Sequence, residues 1–69
     1  MGKSVYKVIE LVGTSDLSWE DAAKNAVETA GRSLKELRIA EISKMDMKVE
    51  DGRVTAFRSR VKLSFKYES

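Results

Sequence analysis

The 69-residue chain contains no cysteine and no histidine, and both absences exclude classes of function. Without cysteine no disulfide can form, and the usual ligands of zinc and haem sites are missing. No apolar run approaches the roughly 20 residues that cross a bilayer, so no membrane association is predicted. A signal-peptide core is also lacking, and the expected location is cytoplasmic.

Neither sign of charge is in large excess. The chain has 13 basic and 11 acidic side chains and a net charge of +2, which is too balanced to indicate a nucleic-acid partner. Ser15 has no histidine to activate it, and no carboxylate pair has a spacing typical of acid–base catalysis. We therefore expect a protein that is not an enzyme.

The chain is long enough for a single domain, residues 1–69, with a small interior. A domain of this size buries only about 60% of the surface that its unfolded chain exposes, so small folds recruit disulfides, metals or partner subunits. Because cysteine and histidine are absent, we predict that this domain is stabilised by self-association.

A strand and a helix are predicted in the first half of the chain. Residues 4–12 are rich in β-branched residues and form a strand with apolar side chains on both faces, ended by a turn at 13–15. A helix begins after the N-cap Ser18, with Trp19 packing as the first residue of an alanine-rich apolar stripe that runs to Leu34. This stripe predicts about 17 helical residues, or roughly 25 Å.

Residues 38–67 form a predicted hairpin around Asp51-Gly52, a dipeptide that suits a type I′ turn. Pairing outward from the turn gives three predicted cross-strand pairs: Ala40 with Leu63 and Ile42 with Val61 under the helix, and Glu41 with Lys62 on the other face. At roughly 45 Å the hairpin outreaches the helix. Apolar residues on its far half predict an assembly surface: Met45, Met47, Val49, Val54 and Phe57.

Charged residues supply two candidate sites. A basic stripe along the last strand, made of Arg58, Arg60, Lys62 and Lys66, predicts either ion pairs with carboxylates such as Glu41 or phosphate contacts, the latter through Arg60 and Lys62. Asp46 and Glu50 offer hard oxygen ligands for calcium. Their spacing matches no EF-hand loop, so a calcium site would have to form between subunits.

Three segments together resemble the dodecin family in order and spacing: residues 5–15, ending in Gly-Thr-Ser, residues 37–42 and residues 61–65. The resemblance implies an α+β fold, a β-α-β-β protomer whose three-stranded antiparallel sheet wraps around one helix. It also implies that twelve copies form a hollow shell. Flavin-binding dodecins hold flavins in pairs between tryptophans, and some dodecins bind coenzyme A.

Two positions depart from the flavin-binding pattern. Ile39 stands where the family has its flavin-stacking tryptophan, and Arg58 stands where a glutamine contacts the flavin ring. Loss of an aromatic partner forfeits about 0.5–1.5 kcal/mol per contact beyond area burial. The chain is more similar to a subgroup that lacks these residues and is associated with calcium.

The resemblance therefore implies a non-catalytic homododecamer that stores or sequesters a small ligand and has lost the usual stacked flavin binding. Two alternatives stay open. One is a storage dodecin that binds riboflavin or its phosphate, FMN, through an atypical site. The other is a calcium-associated structural assembly.

Overall fold

A computed structural model describes residues 4–67 of the chain. Its elements are β1 (Tyr6–Ser15), α1 (Trp19–Gly31), β2 (Leu37–Glu50) and β3 (Arg53–Lys66). The strands form one antiparallel sheet in the order β1-β3-β2, with α1 packed on one face. The predicted β-α-β-β fold is confirmed.

Strand β1 is longer than predicted. Residues 13–15, expected as a turn, continue the strand and pair with residues 57–59 of β3. Gly13 lies directly under α1, where a Cβ atom would overlap the carbonyl oxygen of Ala22 and come within 3.0 Å of the Ala26 Cβ. The glycine allows the helix to lie close to the sheet, and it does not end the strand.

Helix α1 begins as predicted and ends earlier. The Ser18 hydroxyl accepts a hydrogen bond from the Asp21 backbone N–H at 2.9 Å, which satisfies one of the free donors of the first turn. The helix ends at Gly31, so it has 13 residues where the apolar stripe predicted about 17. Leu34 still packs against the core, because the turn after the helix carries it there.

The core lies between α1 and the two strands beneath it, β1 and β3. Val61 and Leu63 are buried under the helix alanines, and Ile9 and Leu11 of β1 complete the contact. The predicted alternation of β3 is thus confirmed. Among residues 4–67 the buried apolar set is small: Ala22, Ala23, Ala26, Ala30, Val61 and Leu63.

The β2–β3 hairpin turns at Asp51-Gly52, where both residues have positive φ (52° and 74°), and the three predicted cross-strand pairs are present. Ala40 and Ile42 nevertheless stay exposed, which corrects their predicted place under the helix, because α1 lies over β1 and β3. Between Lys44 and Lys48 the register is shifted by one residue. One bulge lies at Ser43 of β2 and a second, which cancels it, at Thr55 of β3.

The far half of the hairpin projects beyond the helix, as predicted, and the molecule measures 55 × 20 × 15 Å. We call the exposed apolar residues of its helix-side face the overhang: Met45, Met47, Val49 and Val54. Phe57, predicted among them, is instead half-buried against Trp19, with ring centroids 4.9 Å apart. Trp19 thus joins the start of the helix to the base of the overhang.

Candidate functional site

The candidate site lies on the sheet face that points away from α1, which we call the outer face. Strand pairing arranges its side chains in rows that cross β1, β3 and β2 in turn. Three consecutive rows carry most of the charge: Glu10, Lys62 and Glu41; Val12, Arg60 and Lys44; Thr14, Arg58 and Asp46. The bulge at Ser43 determines which β2 residues enter the last two rows.

Arg58 and Asp46 form a two-point ion pair. The Arg58 Nε lies 2.6 Å from Asp46 Oδ1, and its Nη2 lies 2.9 Å from Oδ2. The hydrogen bond from Arg58 outweighs partial burial and lowers the pKa of Asp46, and the same bond raises the pKa of Arg58. Both side chains remain about half exposed, so the pair fixes geometry more than it contributes stability.

Two side-chain hydrogen bonds also fix the backbone next to the Arg58–Asp46 pair. The indole Nε1 of Trp19 donates a hydrogen bond to the Asp46 carbonyl at 3.0 Å. The Ser59 hydroxyl, which is buried, donates to the Trp19 carbonyl at 2.8 Å. The start of α1 is therefore tied to β2 and β3 at the level of the Arg58–Asp46 row.

The next row places two cations side by side, since Lys44 lies opposite Arg60 in the strand register. Their β1 neighbour is Val12, which has no charge. Glu10, one row further, approaches Arg60 only to 4.0 Å. Val12, Lys44, Arg60 and the Arg58–Asp46 pair line one small cleft.

Lys62 has a different environment from the one predicted for a phosphate contact. It lies between Glu10 on β1 and Glu41 on β2 in the strand register. Two carboxylates thus flank it within the row, which leaves it less suited to an anionic ligand. The cation that joins Arg60 in the cleft is Lys44, which the sequence pattern did not single out, because an unbulged register places it on the helix side.

Ile39 and Arg58, the two flavin-site equivalents, are far apart within one chain. Ile39 is 67% exposed and lies opposite Ser64, and Arg58 lies six residues further along β3. At about 3.3 Å per residue this separation is roughly 20 Å. One chain does not bring the two positions into a common site.

The suggested calcium ligands are also separated. Asp46 and Glu50 lie four residues apart on β2, about 13 Å at strand spacing. Asp46 has both oxygens on Arg58, and Glu50 lies 3.7 Å from the Lys48 ammonium. Residues 4–67 contain no cluster of three or more metal-ligating side chains within one chain.

Comparison with known proteins identifies the family. The model of the Dodecin family matches residues 5–68. The chain belongs to the dodecin family. The expected resemblance is confirmed over nearly the whole length of the chain. In residues 4–67 of this dodecin, no helix is long and apolar enough to span a membrane.

Individual dodecins are similar in sequence and in structure. The calcium dodecin of Mycobacterium tuberculosis is 43% identical over 63 residues, which cover 91% of this chain and 89% of that protein. The crystal structure of that calcium dodecin, a calcium-chelating immunodominant antigen with a novel calcium-binding site, superposes on this chain with a TM-score of 0.83 at 42% identity. The match covers 94% of this chain and 93% of the calcium dodecin chain. The structure of the dodecin from Streptomyces coelicolor matches with a TM-score of 0.92 at 35% identity. This match covers 100% of this chain and 99% of the Streptomyces coelicolor chain.

Proposed function

We propose that this chain is the subunit of a non-catalytic homododecamer that stores or sequesters a small ligand. The observation that carries the proposal is the overhang, a row of exposed apolar side chains beyond the reach of the chain's own helix. Exposed apolar surface of this kind marks a contact with another molecule. A second copy is the occupant that membership of the dodecin family favours.

The surface area of the chain supports self-association. The accessible surface is 5479 Å², about a quarter larger than the roughly 4,400 Å² expected of a compact monomer of 7.8 kDa. The excess is similar to the roughly 800 Å² that each partner buries in a standard interface. An elongated chain with a small alanine-rich core gains the missing burial from its neighbours.

The contacts of Ser15 favour binding over catalysis. This hydroxyl is buried, donates to Asp21 Oδ2 at 2.6 Å and accepts from the Leu17 N–H at 2.9 Å. These bonds stabilise the link between β1 and α1. A nucleophilic serine needs an accessible oxygen, and the Ser15 oxygen is buried and already accepts a backbone N–H.

The ligand of the proposed shell is not a flavin stacked in the usual mode. Ile39 offers no aromatic face, and the Arg58 guanidinium is held by Asp46. An alternative is an atypical riboflavin or FMN site, in which apolar groups around Ile39 of one copy meet Arg58 of another.

Native mass spectrometry of protein purified from its own cells tests the assembly and reports any retained ligand at the same time. We expect a particle of about twelve subunits, because burial of the overhang requires neighbours. A monomer at micromolar concentration would contradict the proposal. Titration with riboflavin tests the alternative: quenched flavin fluorescence would support an atypical flavin site, and unquenched fluorescence at excess protein would exclude it.

Calcium is the second candidate ligand, and the similarity to a calcium dodecin favours it. Because one chain separates Asp46 from Glu50, the proposed site combines carboxylates of two copies, as calcium prefers six to eight oxygens. Addition of a chelator should lower the melting temperature, and calcium, but not magnesium, should restore it. An unchanged melting temperature would reject this candidate.

A further inference from the structure

We infer that the outer face carries a binding site for a phosphate group, formed by Lys44 and Arg60 beside the Arg58–Asp46 pair. The inference rests on the proposed function and specifies the charge of the ligand that the shell would hold. It starts from the bulge at Ser43, which moves Lys44 to a place directly opposite Arg60.

Like charges directly opposite each other on paired strands destabilise a sheet unless another charge compensates them. The neighbouring rows both contain carboxylates: Lys62 lies between two glutamates in the strand register, and Arg58 is paired with Asp46. In the row of Lys44 and Arg60 the third residue is Val12, so the row itself contains no carboxylate. An anion bound there would supply the missing charge.

Two carboxylates lie near this row, Asp46 and Glu10, and each already has an arginine partner. Asp46 has both oxygens on the Arg58 guanidinium. Glu10 forms a long ion pair with Arg60, its Oε1 lying 4.0 Å from Nη1, and the Ser43 hydroxyl lies 3.5 Å from its Oε2. Arg60 is thus only partly compensated, and among residues 4–67 no carboxylate lies within ion-pair distance of the exposed Lys44 ammonium.

The geometry favours phosphate over a carboxylate or chloride. A phosphate group carries up to two charges and three acceptor oxygens, so it can accept from a lysine and an arginine together. The Ser43 hydroxyl donates its single proton to the Arg60 carbonyl at 3.2 Å, the shorter of its two contacts, and this bond stabilises the bulge and hence the position of Lys44. The expected ligand is inorganic phosphate or a phosphate monoester.

The first experiment titrates inorganic phosphate into the assembled protein at constant ionic strength and measures binding by calorimetry and by the melting temperature. We expect saturable binding and a rise in melting temperature that chloride does not reproduce. Substitution of Lys44 by Gln (K44Q) or of Arg60 by Gln (R60Q) should weaken binding by about tenfold or more. The matched control is K48Q, since Lys48 lies on the same face and strand but next to Glu50.

The second experiment compares each phosphate ester with its unphosphorylated form, namely FMN with riboflavin and adenosine monophosphate with adenosine. Tighter binding of FMN alone supports a phosphorylated flavin as the ligand, and tighter binding of both esters supports a general phosphate site. Equal phosphate binding by wild type, K44Q and R60Q would overturn the inference, as would no response beyond that to chloride. Native mass spectrometry of wild type and of each variant separates these outcomes from a loss of assembly caused by the substitution. A monomeric wild type would contradict the proposed function itself.

Discussion

Gly13 shows how one residue determines the distance between the helix and the sheet. Its Cα lies beneath the Ala22 carbonyl, and the Ala26 methyl group is the next neighbour. The backbone of α1 fills the space that a side chain would need. A sequence pattern suggested that this glycine ends the strand, but the structure assigns it to the closest helix–sheet contact.

Replacing Gly13 by Ala (G13A) should therefore destabilise the protein by about 1–3 kcal/mol or more, because overpacking against backbone atoms cannot be relieved by a rotamer change. The matched control is G31A, since a Cβ at Gly31 meets only the Leu37 Cδ1 at 3.8 Å. That control should be neutral or stabilising by up to about 1 kcal/mol. Chemical denaturation at a fixed protein concentration measures both, and equal effects would contradict the close-contact role.

The Arg58–Asp46 pair predicts a defined pH dependence. Because the hydrogen bond from Arg58 lowers the pKa of Asp46 below its ordinary value, the pair's contribution to stability is present above the unfolded-state pKa. It is lost as the pH falls through the lowered folded-state pKa. Asp46→Asn (D46N) should have a lower melting temperature than wild type at neutral pH.

This difference in melting temperature should shrink below about pH 4 and vanish at lower pH, because protonated aspartate resembles asparagine in charge. Arg58→Gln (R58Q) should remove the same acid-dependent component, since it removes the group that lowers the pKa of Asp46. Melting curves from acidic to neutral pH provide the measurement. A constant difference between wild type and D46N at all pH values would contradict the pairing.

At the scale of elements, two bulges decide which side chains of β2 share a face. A hairpin paired without bulges from Asp51-Gly52 places Lys44 and Asp46 on the helix side. The bulges at Thr55 and Ser43 shift this segment by one residue and move both charges to the outer face. Their effects cancel, so the pairing of Glu41 with Lys62 agrees with the simple prediction.

The N-cap of α1 provides the prediction at this scale. Removal of the Ser18 hydroxyl in S18A leaves the Asp21 N–H without its acceptor and should cost about 1 kcal/mol of stability. S33A is the matched control, because Ser33 is an exposed serine in the turn after the helix. Thermal or chemical denaturation compares the two variants. A loss in S33A as large as that in S18A would contradict the capping role.

At the scale of the whole molecule, twelve large apolar side chains of residues 4–67 are exposed, whereas the buried core consists of four alanines, Val61 and Leu63. The helix covers β1 and β3 and leaves the overhang in the open, so the fold of one chain is an incomplete structure. This geometry, more than any single residue, explains why a 69-residue chain without disulfides would form a larger particle.

Met47→Glu (M47E) should shift the mass distribution from the assembled particle to smaller species, because it places a charge in the apolar contact. The control is K48E, the next residue on the same strand, whose side chain points to the outer face. Native mass spectrometry and light scattering report the particle size. An intact particle in M47E would contradict the proposed role of the overhang, and disruption by both variants would show that the contact is not specific to the apolar face.

The sequence by itself determined the features that depend on near neighbours in the chain. The Asp51-Gly52 turn, the Ser18 N-cap, the alternation of β3 and the alanine stripe of α1 are all visible as local patterns. The resemblance to the family lies in residues 5–15, 37–42 and 61–65. Phosphate contact through Arg60 and the basic stripe were also suggested by strand spacing alone. The overhang followed from comparing the lengths of two predicted elements.

Only the tertiary structure decided what lies next to what across strands. The pairing of Lys44 with Arg60, the ion pair of Asp46 with Arg58 and the covering of Phe57 by Trp19 join residues at least 12 positions apart. Such contacts depend on how β3 fits between its two neighbours and how closely α1 approaches, and a one-residue shift in register moves every side chain in the shifted segment to the other face. The charged residues of the candidate site could therefore be read from the sequence, but their grouping on one face of the sheet could not be predicted from it.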